Sequence, residues 1–168
     1  MKPIIVLLLL SAFPASMAQT ERGARVSFDV GNATVWLGMT KHDALKNFNS
    51  LGYQITDRGD TLLVQATGSH DVLIVFKNDQ LIFASQDWYA GGGTETLEAV
   101  LGALGALADK AGRLPCIVRN SPLSAPSTSV QRVYVSCGHR SVLISKGVVQ
   151  GEQVRVVSLR IGGAAPND

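Results

Sequence analysis

The side chains of this sequence able to hold a metal, attack a substrate or move a proton are two cysteines, three histidines and thirteen acids. His42, His70 and His139 each stand near a turn or a helix start, never at the i, i+4 spacing that presents two ligands to one ion. A zinc site would need three or four ligands gathered from separate loops. Asp57, Asp60 and Asp71 fall near hairpin ends, where a solvated turn is the ordinary role, although two of them together could act as general acid and base. The sequence contains no G-x-S-x-G elbow, no H-E-x-x-H, no phosphate-binding loop and no dinucleotide glycine fingerprint. No catalytic residue, metal site or cofactor is assigned.

Cys116 and Cys137 are the only cysteines. In an oxidising compartment an even pair reads as a disulfide. Closing a loop of about 20 residues stabilises a fold by roughly 3 kcal/mol in the chain-entropy model. The competing reading makes one of them a nucleophile with His139 as base, yet Ser-Cys-Gly-His-Arg has the composition of a hairpin turn.

Binding, unlike catalysis, has candidates. Trp88 and Tyr89 follow a strand-like run and precede three glycines, a place where large aromatics serve as interface anchors. Trp36 alternates away from Val35 and Leu37, which puts it on an exposed sheet face. The alternative for Trp88 is closure of the core against the first helix.

The elements that must position these residues begin after a secretory signal, residues 1–18. Lys2 supplies the positive end, and Ile4 to Leu10 is an apolar run too short to span a bilayer, which needs roughly 20 residues. Ser16 and Ala18 set the cleavage point before Gln19, and no cysteine lies there to take a lipid. The expected product is periplasmic or secreted, without a stable membrane anchor. Loss of Lys2 leaves 14 basic residues against 13 acids, scattered along the chain, so there is no electrostatic footprint for nucleic acid or an anionic membrane.

Val26, Phe28 and Val30 alternate with Ser27 and Asp29, and Gly31-Asn32 turns this strand into Ala33–Leu37. Thr40 caps a helix whose apolar face is Ala44, Leu45, Phe48 and Leu51, and Gly52-Tyr53 supplies a Schellman stop. Strands resume as YQITD and TLLVQA around Arg58-Gly59-Asp60, an integrin-type tripeptide read here as a turn. DVLIVFK and QLIFASQ then flank Asn78-Asp79, a type I′ pair. A boundary falls at DWYAGGG. A second helix follows from Thr94, with Leu97, Val100, Leu101, Leu104 and Ala108 as its buried face, and Gly112 closes it. Strands LPCIVRN, VQRVYVSC, RSVLISKG and QVRVVSLRI complete the chain, the first two joined by the Ser/Pro-rich loop SPLSAPSTS. The expected organisation is residues 19–90, with a leading hairpin, helix and antiparallel strands; 91–161, with a second helix and strands; and a frayed tail, 162–168. The expected fold class is α+β, two tandem helix-plus-antiparallel-sheet units with each helix on one sheet face.

Gly38 to Leu45, G-M-T-K-H-D-A-L, resembles the signature of the small lipoproteins of the outer-membrane β-barrel assembly machine. There too a strand leads into Gly-Met-Ser/Thr, then an acid and an aliphatic on the helix. Leu51-Gly52 and the FKNDQL hairpin are similar as well, so the resemblance covers Ala33–Gln86. The whole element order resembles the β-lactamase-inhibitor-protein fold, in which the helix-plus-four-strand unit occurs twice. The resemblance implies a binding or scaffold protein without an active site. The chain departs from both families in lacking the lipid-bearing cysteine and a disulfide in each half. The expected function is thus a non-enzymatic, exported module that binds another envelope or secreted protein. The alternatives are a small periplasmic hydrolase or metal-dependent enzyme, and a small-ligand carrier with its pocket between sheet and helix.

Overall fold

The computed structural model describes residues 25–65, 71–89 and 95–163. The expected signal at residues 1–18 with its expected cleavage point, His70, the three glycines at 91–93 and residues 164–168 lie outside them.

Local chemistry sets the first elements. Strands β1 (Ser27–Val30) and β2 (Ala33–Trp36) form the leading hairpin, and helix α1 (Lys41–Ser50) follows. The Thr40 hydroxyl accepts the Asp43 amide and donates to the Asp43 carboxylate, so the cap is made by these two side chains. At the other end Tyr53 N–H donates to Phe48 O and Gly52 N–H to Asn49 O, the bond pair of a Schellman stop, with Gly52 at φ +73°. The Tyr53 ring meets Phe48 edge-on at 5.5 Å, and its hydroxyl donates to Val30 O at 2.7 Å. This strongly punctuated segment therefore holds a shape, tying α1 to the hairpin.

The remaining strands are β3 (Gln54–Asp57), β4 (Thr61–Gln65), β5 (Val72–Lys77) and β6 (Gln80–Tyr89), then β7 (Cys116–Asn120) and β8 (Leu123–Ala125) after helix α2 (Glu95–Ala111). β9 (Thr128–Cys137), β10 (Arg140–Val149) and β11 (Glu152–Gly162) close the described chain. Asn78 and Asp79 both take positive φ, as the turn between β5 and β6 requires.

Two tandem α+β units do not form. The described residues are mostly β, with two helices and one antiparallel sheet of nine strands in the order β3-β4-β5-β6-β11-β10-β9-β7, β8 pairing β9 beside β7. Periodicity sized the strands too short to reveal this. β6, β9, β10 and β11 run for 10 or 11 residues. β11 then returns to pair with β6, so the last strand of each half is interior and neither half keeps a sheet edge there. The expected Ser/Pro-rich loop also contains structure: Leu123–Ala125 forms β8, between Pro122 and Pro126. Prolines fit there because an outermost strand needs hydrogen bonds on one side only. Gly162 ends β11 and donates to His139 O, so it does not belong to a frayed tail.

Strand registers place Leu62, Val64, Val72, Ile74, Ala84, Ile161, Val157, Val142 and Cys137 on one face of the sheet. Both cores lie on it. The first joins the hairpin and α1 (Val30, Val35, Ala44, Phe48) to Leu62, Val64, Val72 and Ile74. The second sets Ala103, Leu107 and Ala111 of α2 on Cys137, Val142 and Val157. Lys110 of α2 reaches Asp29 of β1 at 2.8 Å; that hydrogen bond outweighs partial desolvation and holds the Asp29 carboxyl below its ordinary value.

The buried stripe of α2 is Ala103, Leu107 and Ala111; of the expected face, Val100 and Leu104 pack partly buried beside it, whereas Leu97 and Leu101 are 63% and 61% exposed. The reason is close packing. A methyl on Gly102 would stand 2.7 Å from the Trp88 ring, so the helix turns its small residues to the sheet. Gly105→Ala adds a methyl with nothing within 4 Å and should stabilise the protein by about 1 kcal/mol through helix propensity. Gly102→Ala gains the same propensity but should lower the melting temperature, since overpacking costs about 1–3 kcal/mol. Thermal melts of the two variants decide it, and equal stabilisation by both would mean that the Trp88 ring yields freely.

Candidate functional site

The other face of the sheet carries the alternate residues, and no described helix or hairpin lies on it. Its cross-strand rows follow from the registers. One row runs Ile117–Ser136–Ser141–Arg160–Ser85–Leu73–Leu63 across β7, β9, β10, β11, β6, β5 and β4. Beside it runs Arg119–Tyr134–Leu143–Ser158–Asp87, and beyond that Arg132–Ser145–Val156.

This face is concave. A trough of about 530 Å³ is lined from Leu63 on β4 to Val130 and Arg132 on β9, and a flat sheet could not enclose such a space. Phe83 is 2% and Leu143 5% exposed although they sit on it. Register shifts at Val75/Phe76 and Val157/Ser158 add local twist. Gly147 and Gly162 permit the closest strand approaches, for a Cβ on either would lie 2.0 or 2.1 Å from a backbone oxygen of the neighbouring strand.

The trough is apolar at its floor and polar around it. The Arg160 guanidinium lies 5.7 Å from the centre of the Phe83 ring, a cation–π geometry that orients it along the floor. Ser158 Oγ donates to Asp87 Oδ1 at 2.6 Å. At the β7 end a second cleft of about 480 Å³ adjoins the trough and shares Arg160 with it; Arg119, Tyr134, Ser136 and Ser141 are among its walls.

The chain has no match among family models, characterised proteins or solved structures.

The residues marked out by sequence are dispersed. Trp88 and Tyr89 do not follow β6 but end it. Trp88 is half-buried, packed in the second core against α2 and not α1, on the face opposite the trough. Trp36 is half-buried beside the first core, with the Arg25 guanidinium 5.2 Å from its ring centre. Cys116 and Cys137 are joined as a disulfide between directly opposed positions of β7 and β9. Asp57 pairs with Lys41 at 2.7 Å, and that hydrogen bond holds its carboxyl below the ordinary value. Asp60 is exposed in the β3–β4 turn, and Asp71 stands at the trough's acidic flank near Asp87. His42 and His139 are exposed. Among the described residues no three of His, Cys, Asp and Glu come together to hold a metal, and no serine hydroxyl is hydrogen-bonded to a histidine.

Sequence reasoning missed the trough residues themselves. Arg132, Tyr134 and Ser136 alternate with Val133, Val135 and Cys137, as do Ser158 and Arg160 with Leu159 and Ile161. That alternation was a readable signal. What it lacked was the register that aligns five strands' polar positions into rows on one surface.

Proposed function

We propose that this protein is a non-enzymatic binding module of the bacterial envelope and that it holds another protein on the concave sheet face. The observation carrying this reading is the 530 Å³ trough across six strands. Leu73, which is exposed, offers apolar area with the half-buried Val154 and Val156, and Arg132 and Arg160 line the trough beside Tyr134 and Arg119 of the adjoining cleft, side chains of the kinds that dominate interface energetics. The disulfide, the apolar run at Ile4 to Leu10 and the likeness of Gly38–Leu45 to envelope assembly lipoproteins support export and a scaffold role. The carrier alternative loses ground, because the space between α2 and the sheet, bounded by Phe28, Leu107 and Ile161, is only about 10 Å³.

A photo-crosslinking residue at Leu73 or Tyr134, compared with one at Leu101 on α2, tests the assignment in cells exporting the protein. Adducts to one defined envelope protein should form from the two sheet positions and not from the helix. Leu73→Arg should weaken capture of that protein by about tenfold or more with little change in melting temperature, since Leu73 is exposed. Adducts only from Leu101, or none from the sheet, would overturn the reading.

A further inference from the structure

The second core has an apolar row that runs past the helix covering it. Leu159, Val142, Val135 and Val118 stand directly across from one another on β11, β10, β9 and β7. Val142 is buried, Val135 is half-buried, and Val118, at the end of the row, is 67% exposed. On the opposite face of the same strand Ile117 is 55% exposed. No described strand pairs with the outer side of β7. The main chain of that edge can be read residue by residue. Ser121 N–H donates to Arg132 O of β9 at 2.9 Å, and bonding alternates along an antiparallel strand. Arg119 and Ile117 therefore bond to β9 as Ser121 does, whereas Cys116, Val118 and Asn120 turn N–H and C=O outward. The 4.2 Å between the Cys116 and Cys137 Cα atoms agrees, since non-hydrogen-bonded pairs are the closer kind, at about 4.5 Å against about 5.5 Å. The disulfide fixes this edge to the core before any partner arrives, which lowers the ordering cost of an encounter.

We propose that β7 is the contact through which two copies of this chain pair, edge to edge and antiparallel, about a two-fold axis at Val118. The sequence of β7 suits that register. Cys116 faces the second copy's Asn120 and Val118 faces its own counterpart, so all three outward-turned residues find hydrogen-bonding partners. The apolar row that ends at Val118 then continues into its two-fold copy, and the two exposed valines cover each other. On the other face Ile117 lies across from Arg119 of the second copy, whose aliphatic stem can cover it, and the two guanidinium groups stand on a diagonal and not opposite each other. Pro115 and Pro122 bracket the strand; Pro122 stands at an outward position with no N–H to give, so the ladder ends with β7. The sheet's other edge is guarded. There β3 is four residues long, Gln54, Thr56 and Asp57 are polar, and Asp57 is ion-paired with Lys41. Pairing through β7 alone is isologous and closes at two copies. Five residues a side is well below the roughly 20–30 of a standard interface, so the association is weak and set by concentration. It stands independently of the partner proposed for the trough.

The test uses the purified chain with its disulfide intact, taken from micromolar to millimolar concentration in sedimentation equilibrium, with hydrogen exchange read at both ends of the range. A monomer–dimer equilibrium should appear. The amides of Cys116, Val118 and Asn120 should gain protection with concentration, while those of Ile117 and Arg119 stay protected throughout. Val118→Lys sets two ammonium groups opposite each other and should weaken the association by about tenfold or more. Its melting temperature at micromolar concentration should match the parent, since Val118 is exposed. Leu101→Lys, on the exposed side of α2, should leave the association unchanged. A dimer that Leu101→Lys dissociates and Val118→Lys does not would overturn the proposal by moving the contact to α2. Dimerisation without added protection at the three outward amides would overturn it too. So would a chain that stays monomeric at millimolar concentration; if its outward amides then gain protection only on addition of envelope extract, the edge belongs to a strand of another protein.

Discussion

Replacing Gly147 with alanine should be among the most damaging single-methyl additions this protein can receive. Gly147 of β10 lies opposite Val130 of β9, where the two backbones close on each other. A Cβ there would stand 2.0 Å from Ser129 O and 2.6 Å from Val130 Cα. Both obstacles are main chain, so no rotamer change relieves them and the strands must separate. The propensity gain of losing a strand glycine is about 0.5–1 kcal/mol, while overpacking of this kind costs about 1–3 kcal/mol and occasionally more. The penalty wins. Main-chain obstacles put the cost at the top of that range, so the net loss is about 2–2.5 kcal/mol and, at roughly 2–4 °C per kcal/mol for a chain of this size, the melting temperature should fall by about 4–10 °C. The same substitution should flatten the sheet at the trough and weaken the protein binding proposed for that face. A melt within a degree or two of the parent would mean that β9 and β10 do not approach each other as described.

The second large effect concerns the staple. Cys116 and Cys137 are separated by 21 positions in sequence and face each other across β7 and β9. Removing the link from a loop of that length costs roughly 3 kcal/mol in the chain-entropy model. The position sharpens the expectation. All five residues of β7 are exposed, whereas Cys137 is 1% exposed in the second core beneath α2. The disulfide thus anchors an otherwise weakly buried outer strand to the centre of that core. The double variant Cys116→Ala/Cys137→Ala should melt about 5–10 °C below the parent, and amides of β7 should lose hydrogen-exchange protection before those of β10. Serine at position 137 should be worse than alanine, because it buries a hydroxyl among Val142, Val157 and Leu107. Equal melting of parent and double variant, or free alkylation of both thiols in the native protein, would refute this account.

Much of the fold was legible wherever the deciding forces are local. The Thr40 cap, the Gly52-Tyr53 stop and the Asn78-Asp79 turn each depend on a few adjacent residues, and each appears as expected. Pairing of β6 with β11 was not legible, because nothing within Phe83–Tyr89 names its partner at Val157–Gly162. That choice decides between two small sheets and one large one, and so it decided the fold class. The α2 face was misread in part, for a related reason, although Val100 and Leu104 do pack on the second core. Leucine spacing marks Leu97 and Leu101, but the shape of Trp88 selects the side with Gly102 and Ala103. Of the candidate site, the disulfide was legible because only one pairing of two cysteines exists. The trough was not, since Arg119, Tyr134 and Arg160 become neighbours only through the registers of β7, β9, β10 and β11.

The central place of β11 has a consequence for how the molecule comes into being. As the polypeptide emerges N-terminus first, β3 to β6 can zip together early, yet β6 keeps one side of its ladder open until residues 157–162 arrive. The interval is about 70 residues of synthesis, during which a ten-residue strand advertises itself to any other nascent copy. Completion is therefore late and long-range, the regime in which β-rich chains acquire their structure slowly. A holding chaperone that covers β6 would raise the yield of folded protein without altering its final stability. A fragment stopping before β11 would be a source of aggregates, not a smaller working domain.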